Sequence, residues 1–152
     1  MVPERIEREV LIDAPVETVW AIVTEPEHVG GWFSDSAEID LQPGGEATLT
    51  WEQHGTARAR VEKIDPPHFF SFRWARPMGA EPGEGNSTLV EFSLSAEGES
   101  TRLRVFESGF ASLDGSEDEN AKYAEGNTEG WAHELGELQE YAAKQVQESA
   151  RR

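Results

Sequence analysis

A chain of 152 residues has the length of one ordinary domain, and with 37% apolar and 28% charged residues it should bury a core and fold. Its 30 acidic and 13 basic residues give a net charge of −17. That field repels phosphate backbones and anionic lipid, so neither nucleic acid nor a membrane is an expected partner. The chain has no cysteine, which excludes disulfides and thiolate metal sites.

Residues 4–12 read as a strand ending in the apolar run Val10-Leu11-Ile12. Asp13-Ala14-Pro15 is a helix-start signal, and Val16, Val19, Trp20 and Val23 then form one apolar stripe at helical spacing. Glu25-Pro26 ends that helix and opens a second short one through Glu27-His28-Val29, closed by Gly30-Gly31 before Trp32-Phe33.

The period then changes to two. After the turn Pro43-Gly44-Gly45 come Ala47, Leu49 and Trp51 on one face, and after His54-Gly55 come Ala57, Ala59 and Val61. Asp65-Pro66-Pro67 stops that strand. Phe70, Phe72 and Trp74 form the next inward face, followed by a Pro/Gly-rich loop over 77–86. Val90, Phe92 and Leu94 alternate next, and beyond Gly98 so do Leu103, Val105 and Glu107. Short strands joined by tight turns make an antiparallel meander, half buried and half wet.

Residues 112–126 are polar and acidic and read as a mobile surface loop. A long C-terminal helix follows, with Asn127 or Thr128 as N-cap and a stripe of Trp131, Leu135, Leu138, Ala142 and Val146. The frame is strand, two short helices, six strands and a long helix, with residues 1–152 as one α+β domain. The charged N-terminus lacks an apolar signal region, and no apolar run approaches the roughly 20 residues that span a bilayer. The expected location is therefore cytoplasmic.

Particular residues carry a resemblance. Ala14-Pro15-Val16-Glu17-Thr18-Val19-Trp20, then Thr24-Glu25-Pro26-Glu27-His28 with Trp32-Phe33, resembles the opening helix pair of the Hsp90 ATPase activator homologue-like family of the START/Bet v 1-like superfamily. Pro43-Gly44-Gly45 and Val61-Glu62-Lys63-Ile64-Asp65-Pro66-Pro67, running on to Phe72-Arg73-Trp74, are similar to its central strands. So are Thr101-Arg102-Leu103 through Ser108-Gly109-Phe110, with Gly130-Trp131 at its last helix. The resemblance spans roughly residues 5–143 in the family's order. It implies a helix-grip (Bet v 1-like) fold, a curved antiparallel sheet wrapped around a long C-terminal helix. Such relatives bind lipids, plant hormones or polyketides, and one is a domain of an Hsp90 co-chaperone, so the site must decide the function.

The concave face should present Leu49, Trp51, Phe70, Phe72, Trp74, Val90, Phe92, Leu103 and Val105, and the helix should present Trp131, Leu135 and Leu138. With Trp32, Phe33 and Phe110 nearby, these line the expected cavity, whose rigid aromatics suit a flat apolar ligand. Aromatics at period two also fill cores, which is the plainer reading of any one of them. Glu107 shares the face of Leu103 and Val105, where a carboxylate is costly unless paired or protonated. It is either a polar anchor or general acid/base for a ligand, or a strand-end residue with a partner such as Arg73 or Arg104.

The four histidines show no metal spacing, and no nucleophile elbow, phosphate loop or zinc-protease motif occurs. No catalytic residue, metal or cofactor is assigned. Gly136 either leaves a ligand room or is an exposed, tolerated glycine. The expected function is binding of a small hydrophobic, aromatic or polycyclic molecule. The alternatives are a protein-interaction module working through the outer sheet face, and a cyclase- or hydrolase-type enzyme.

Overall fold

In the computed structural model, which describes residues 2–150, the period-two segments pair into one seven-stranded antiparallel sheet. The strands are β1 (Arg5–Ile12), β2 (Ser36–Ile39), β3 (Glu46–Trp51), β4 (Gly55–Asp65), β5 (Phe69–Ala75), β6 (Ser87–Glu97) and β7 (Ser100–Ser108). Between β1 and β2 lie α1 (Val16–Thr24) and α2 (Pro26–Trp32), and the chain ends in α3 (Glu117–Ala150). The sheet order β1-β7-β6-β5-β4-β3-β2 is a meander whose first strand closes against its last.

Alternation decides which face is wet. Leu49, Ala57, Ala59, Val61, Phe70, Phe72, Val90, Phe92, Leu103 and Val105 are all buried, while the residues between them, apart from the buried Ser71, are exposed in whole or part. A bulge in β4 between Val61 and Lys63 shifts its register against β5. Bulges bend the strand that carries them and increase its twist, which helps the sheet curve around α3. The Pro43-Gly44-Gly45 turn needs both glycines. Gly44 sits at φ +83°, and a Cβ on Gly45 would collide with the Asp40 carbonyl oxygen.

Trp131, Leu135, Leu138 and Ala142 of α3 are buried in one core with α1, Trp32 and the inner sheet face. Four expectations need correction. The segment 112–126 is not a loop throughout, because α3 already begins at Glu117. Asn127 and Thr128 are therefore interior helix residues rather than caps, and Val146, at 36% exposure, lies outside the core. The early start is set by a capping box. Ser116 Oγ accepts from the Glu119 amide at 3.1 Å, and Glu119 Oε1 accepts from the Ser116 amide at 3.0 Å. The glycine pair in α2 does not end that helix, which runs on to Trp32. No described helix is long and apolar enough to cross a membrane.

Candidate functional site

The parity of β7 carries Glu107 onto the inner face, where its side chain is completely buried. Four side chains from three other elements donate to it. Oε2 accepts from Thr88 Oγ1 at 2.6 Å and Trp74 Nε1 at 3.0 Å, Oε1 accepts from Trp131 Nε1 at 2.9 Å, and the Asn127 amide nitrogen reaches both oxygens at 3.0 and 3.1 Å. An indole N–H can only donate, so the acceptor-only carboxylate suits this ring of groups and no buried cation is needed. The partners suggested by sequence do not reach it. Arg73 lies 3.6 Å from Glu62 on the outer face, and Arg104 is exposed.

Glu107 thereby fixes two indoles of an aromatic wall. The rings of Phe33, Trp74 and Trp131 lie within 6 to 21° of parallel, with centroids 5.5, 5.6 and 6.0 Å apart. Three nearly equal separations exclude a straight column, whose end rings would be about twice as far apart as neighbours; each pair is offset-stacked, and the three rings form one compact cluster. Trp51 meets Phe33 edge-on at 5.4 Å and donates to the Phe33 carbonyl at 2.9 Å, which holds the edge of the wall.

Two spaces lie along the inner sheet face, one under α1 and α2 and one beside α3. An interior void of only about 30 Å³, lined among others by Trp32, Phe33, Leu49, Phe70, Phe72 and Phe92, is apolar and holds nothing larger than water. The larger space is an open groove of about 600 Å³, bounded by Phe33, Trp51, His54, Trp74, Met78, Gly126, Asn127, Gly130, Trp131 and Glu134. Phe33, Trp51, Trp74 and Trp131 are thus the sequence-predicted residues that meet at the open site.

The remaining candidates lie elsewhere. Val90, Leu103, Val105, Leu135 and Leu138 are core packing that lines neither space. Phe110 belongs to a separate cluster with Leu113 and Ala124. Trp32 turns inward and donates to the Ile22 carbonyl at 2.9 Å. Glu107 lines neither space and lies behind the indoles that line the groove. Gly136 is exposed and lies outside the groove, whereas Gly126 and Gly130 line it, and a Cβ at either would meet only open space.

Sequence reasoning missed Thr88, Asn127, His54, Met78 and Glu134. Asn127 and Glu134 lie seven residues apart, two turns of one helix, and that spacing becomes readable once the Ser116–Glu119 box sets where α3 begins. Glu134 is half-buried, and burial pushes its carboxyl up to about 7, with the carboxylate of Glu137 adding to the shift and His133 opposing it. Among the described residues no cluster of three or more His, Cys, Asp or Glu is arranged to hold a metal.

A curved antiparallel sheet gripping one long helix, with a groove where helix and sheet part, defines a helix-grip domain. The chain belongs to the Activator of Hsp90 ATPase homolog 1-like protein family, whose model matches residues 13–143. Solved structures with this fold include a protein of Mesorhizobium loti, 19% identical with a TM-score of 0.77, the match covering 92% of this chain and 97% of that one. CalU16 from Micromonospora echinospora is 25% identical with a TM-score of 0.68, over 95% of this chain and 79% of its own. DynU16, a protein in the dynemicin biosynthetic locus, is 24% identical with a TM-score of 0.74, over 91% of this chain but 47% of its own. No curated protein matches the chain.

Proposed function

We propose that the chain binds a small, flat, hydrophobic molecule in the groove between sheet and α3, against the wall of Phe33, Trp51, Trp74 and Trp131. The observation that carries this reading is the cluster of stacked rings lining an open space of about 600 Å³, within the range of small-molecule sites. Rigid rings lose little entropy on binding, and each good ring contact adds about 0.5–1.5 kcal/mol beyond the area it buries. Gly126 and Gly130 leave open space on the helix side of the groove, between Asn127, Trp131 and Glu134. The place of DynU16, a protein of the same fold, in a biosynthetic locus accords with a small-molecule ligand.

The test is a panel of flat aromatic compounds followed by tryptophan fluorescence quenching and thermal shift. Gly130→Leu is the informative variant. It fills the groove while gaining about 1 kcal/mol of helix propensity, so binding should be lost from a protein that is at least as stable. Undiminished binding by Gly130→Leu would place the ligand elsewhere. If no compound binds the parent chain, the nearly filled interior, with its void of about 30 Å³, favours the protein-interaction module instead.

A further inference from the structure

We propose that the occupant of the groove is a planar aromatic cation, an amine or amidinium carried beside its ring system, and that Glu134 is its counter-ion. The inference rests on the groove reading above and narrows its ligand class. Glu134 lines the same groove as Trp74 and Trp131. Among the described residues its carboxylate has no hydrogen bond and no ion pair. That separates it from Glu107, whose oxygens are fully engaged, and from Glu137, which lies 3.8 Å from His133.

A carboxylate losing water without a partner is the condition that a bound cation relieves. A neutral hydrocarbon in the same place would strip away more water and make the condition worse. The upward shift of Glu134 reports that unrelieved burial. The lining of the groove includes no Lys or Arg, and His54 is its one other residue that can carry a positive charge. The rings of Trp74 and Trp131 line the groove beside Glu134 and suit the flat part of such a ligand, and the net charge of −17 draws cations toward the surface.

The groups around Glu134 fix the expected pH behaviour. His54 lines the same groove; His133, 71% exposed, and Glu137 flank Glu134 on α3; Glu107 lies behind the indoles with its oxygens taken. With the carboxyl pushed up to about 7, cation binding should strengthen as pH rises from 5 to 8 and Glu134 ionises. His54, if charged, would oppose a cation too, so the Glu134 variant is needed to separate the two.

The experiment is isothermal titration calorimetry with 2-naphthylmethylammonium and its neutral counterpart 2-naphthalenemethanol, at pH 5 and pH 8. The ammonium probe should bind the parent chain about tenfold more tightly than the alcohol at pH 8, the range of a half-buried charge pair, and lose most of that advantage at pH 5. Glu134→Gln should weaken the ammonium probe and strengthen the alcohol, opposite effects that a folding defect would not produce. Equal affinities in the parent chain, or an advantage that survives Glu134→Gln, overturn the charge pairing while alcohol binding leaves the groove reading standing. Binding of neither probe overturns both.

Discussion

Glu107 shows what one residue can and cannot reveal from its place in a sequence. Its inward direction was legible, because Leu103, Val105 and Glu107 are two apart on one strand. Parity also excludes Arg104, which as the neighbour of Val105 must point to the other face. The true partners were not legible: Trp74, Thr88, Asn127 and Trp131 lie 19 to 33 residues away and meet only when β5, β6 and α3 are assembled. Glu107→Gln turns one acceptor oxygen into a donor facing a donor. The Asn127 amide can turn to accommodate it, but an indole N–H cannot. Urea denaturation should show a loss of roughly 1–3 kcal/mol. The loss should be smaller when Trp131→Phe has already removed the opposing N–H, and equal losses in both backgrounds would show that this clash is not the cause.

At the scale of elements, the strands were read well and the last helix only in part. Inner-face residues of the sheet declare themselves by alternation, which survives a bulge because the pattern resumes one residue later. The stretch from Glu117 to Glu125 hid its helix because it is acidic and weakly amphipathic, with only Asn120 and Ala124 buried. Its start lay in the four residues Ser116-Glu117-Asp118-Glu119, whose three acids also lie at the favourable end of the helix dipole. Ser116→Ala should cost about 1 kcal/mol, read as a lower thermal midpoint with faster amide exchange over the first turn of α3. A midpoint unchanged by the substitution would mean that packing of Asn120 and Ala124 alone holds that turn.

Across the whole molecule the dominant long-range force is self-repulsion. With a net charge of −17, the folded state gains when salt shortens the screening length from about 30 Å at 0.01 M to about 8 Å at 0.15 M. The thermal midpoint should therefore rise over that interval of sodium chloride, and a fall would show that attractive pairs such as Arg102 with Glu9 and Glu97 outweigh the repulsion. The strand order has a further consequence, for synthesis. β1 has a single partner, β7, and the Thr101 hydroxyl that ties the two ends by donating to the Ala14 carbonyl is 87 residues away from it. At about 5–20 residues per second the ribosome takes roughly 4–17 s to make that stretch. For that time Val10-Leu11-Ile12 is an unpaired apolar edge, available to any passing strand or to a chaperone, and the chain becomes safe only when its penultimate element emerges.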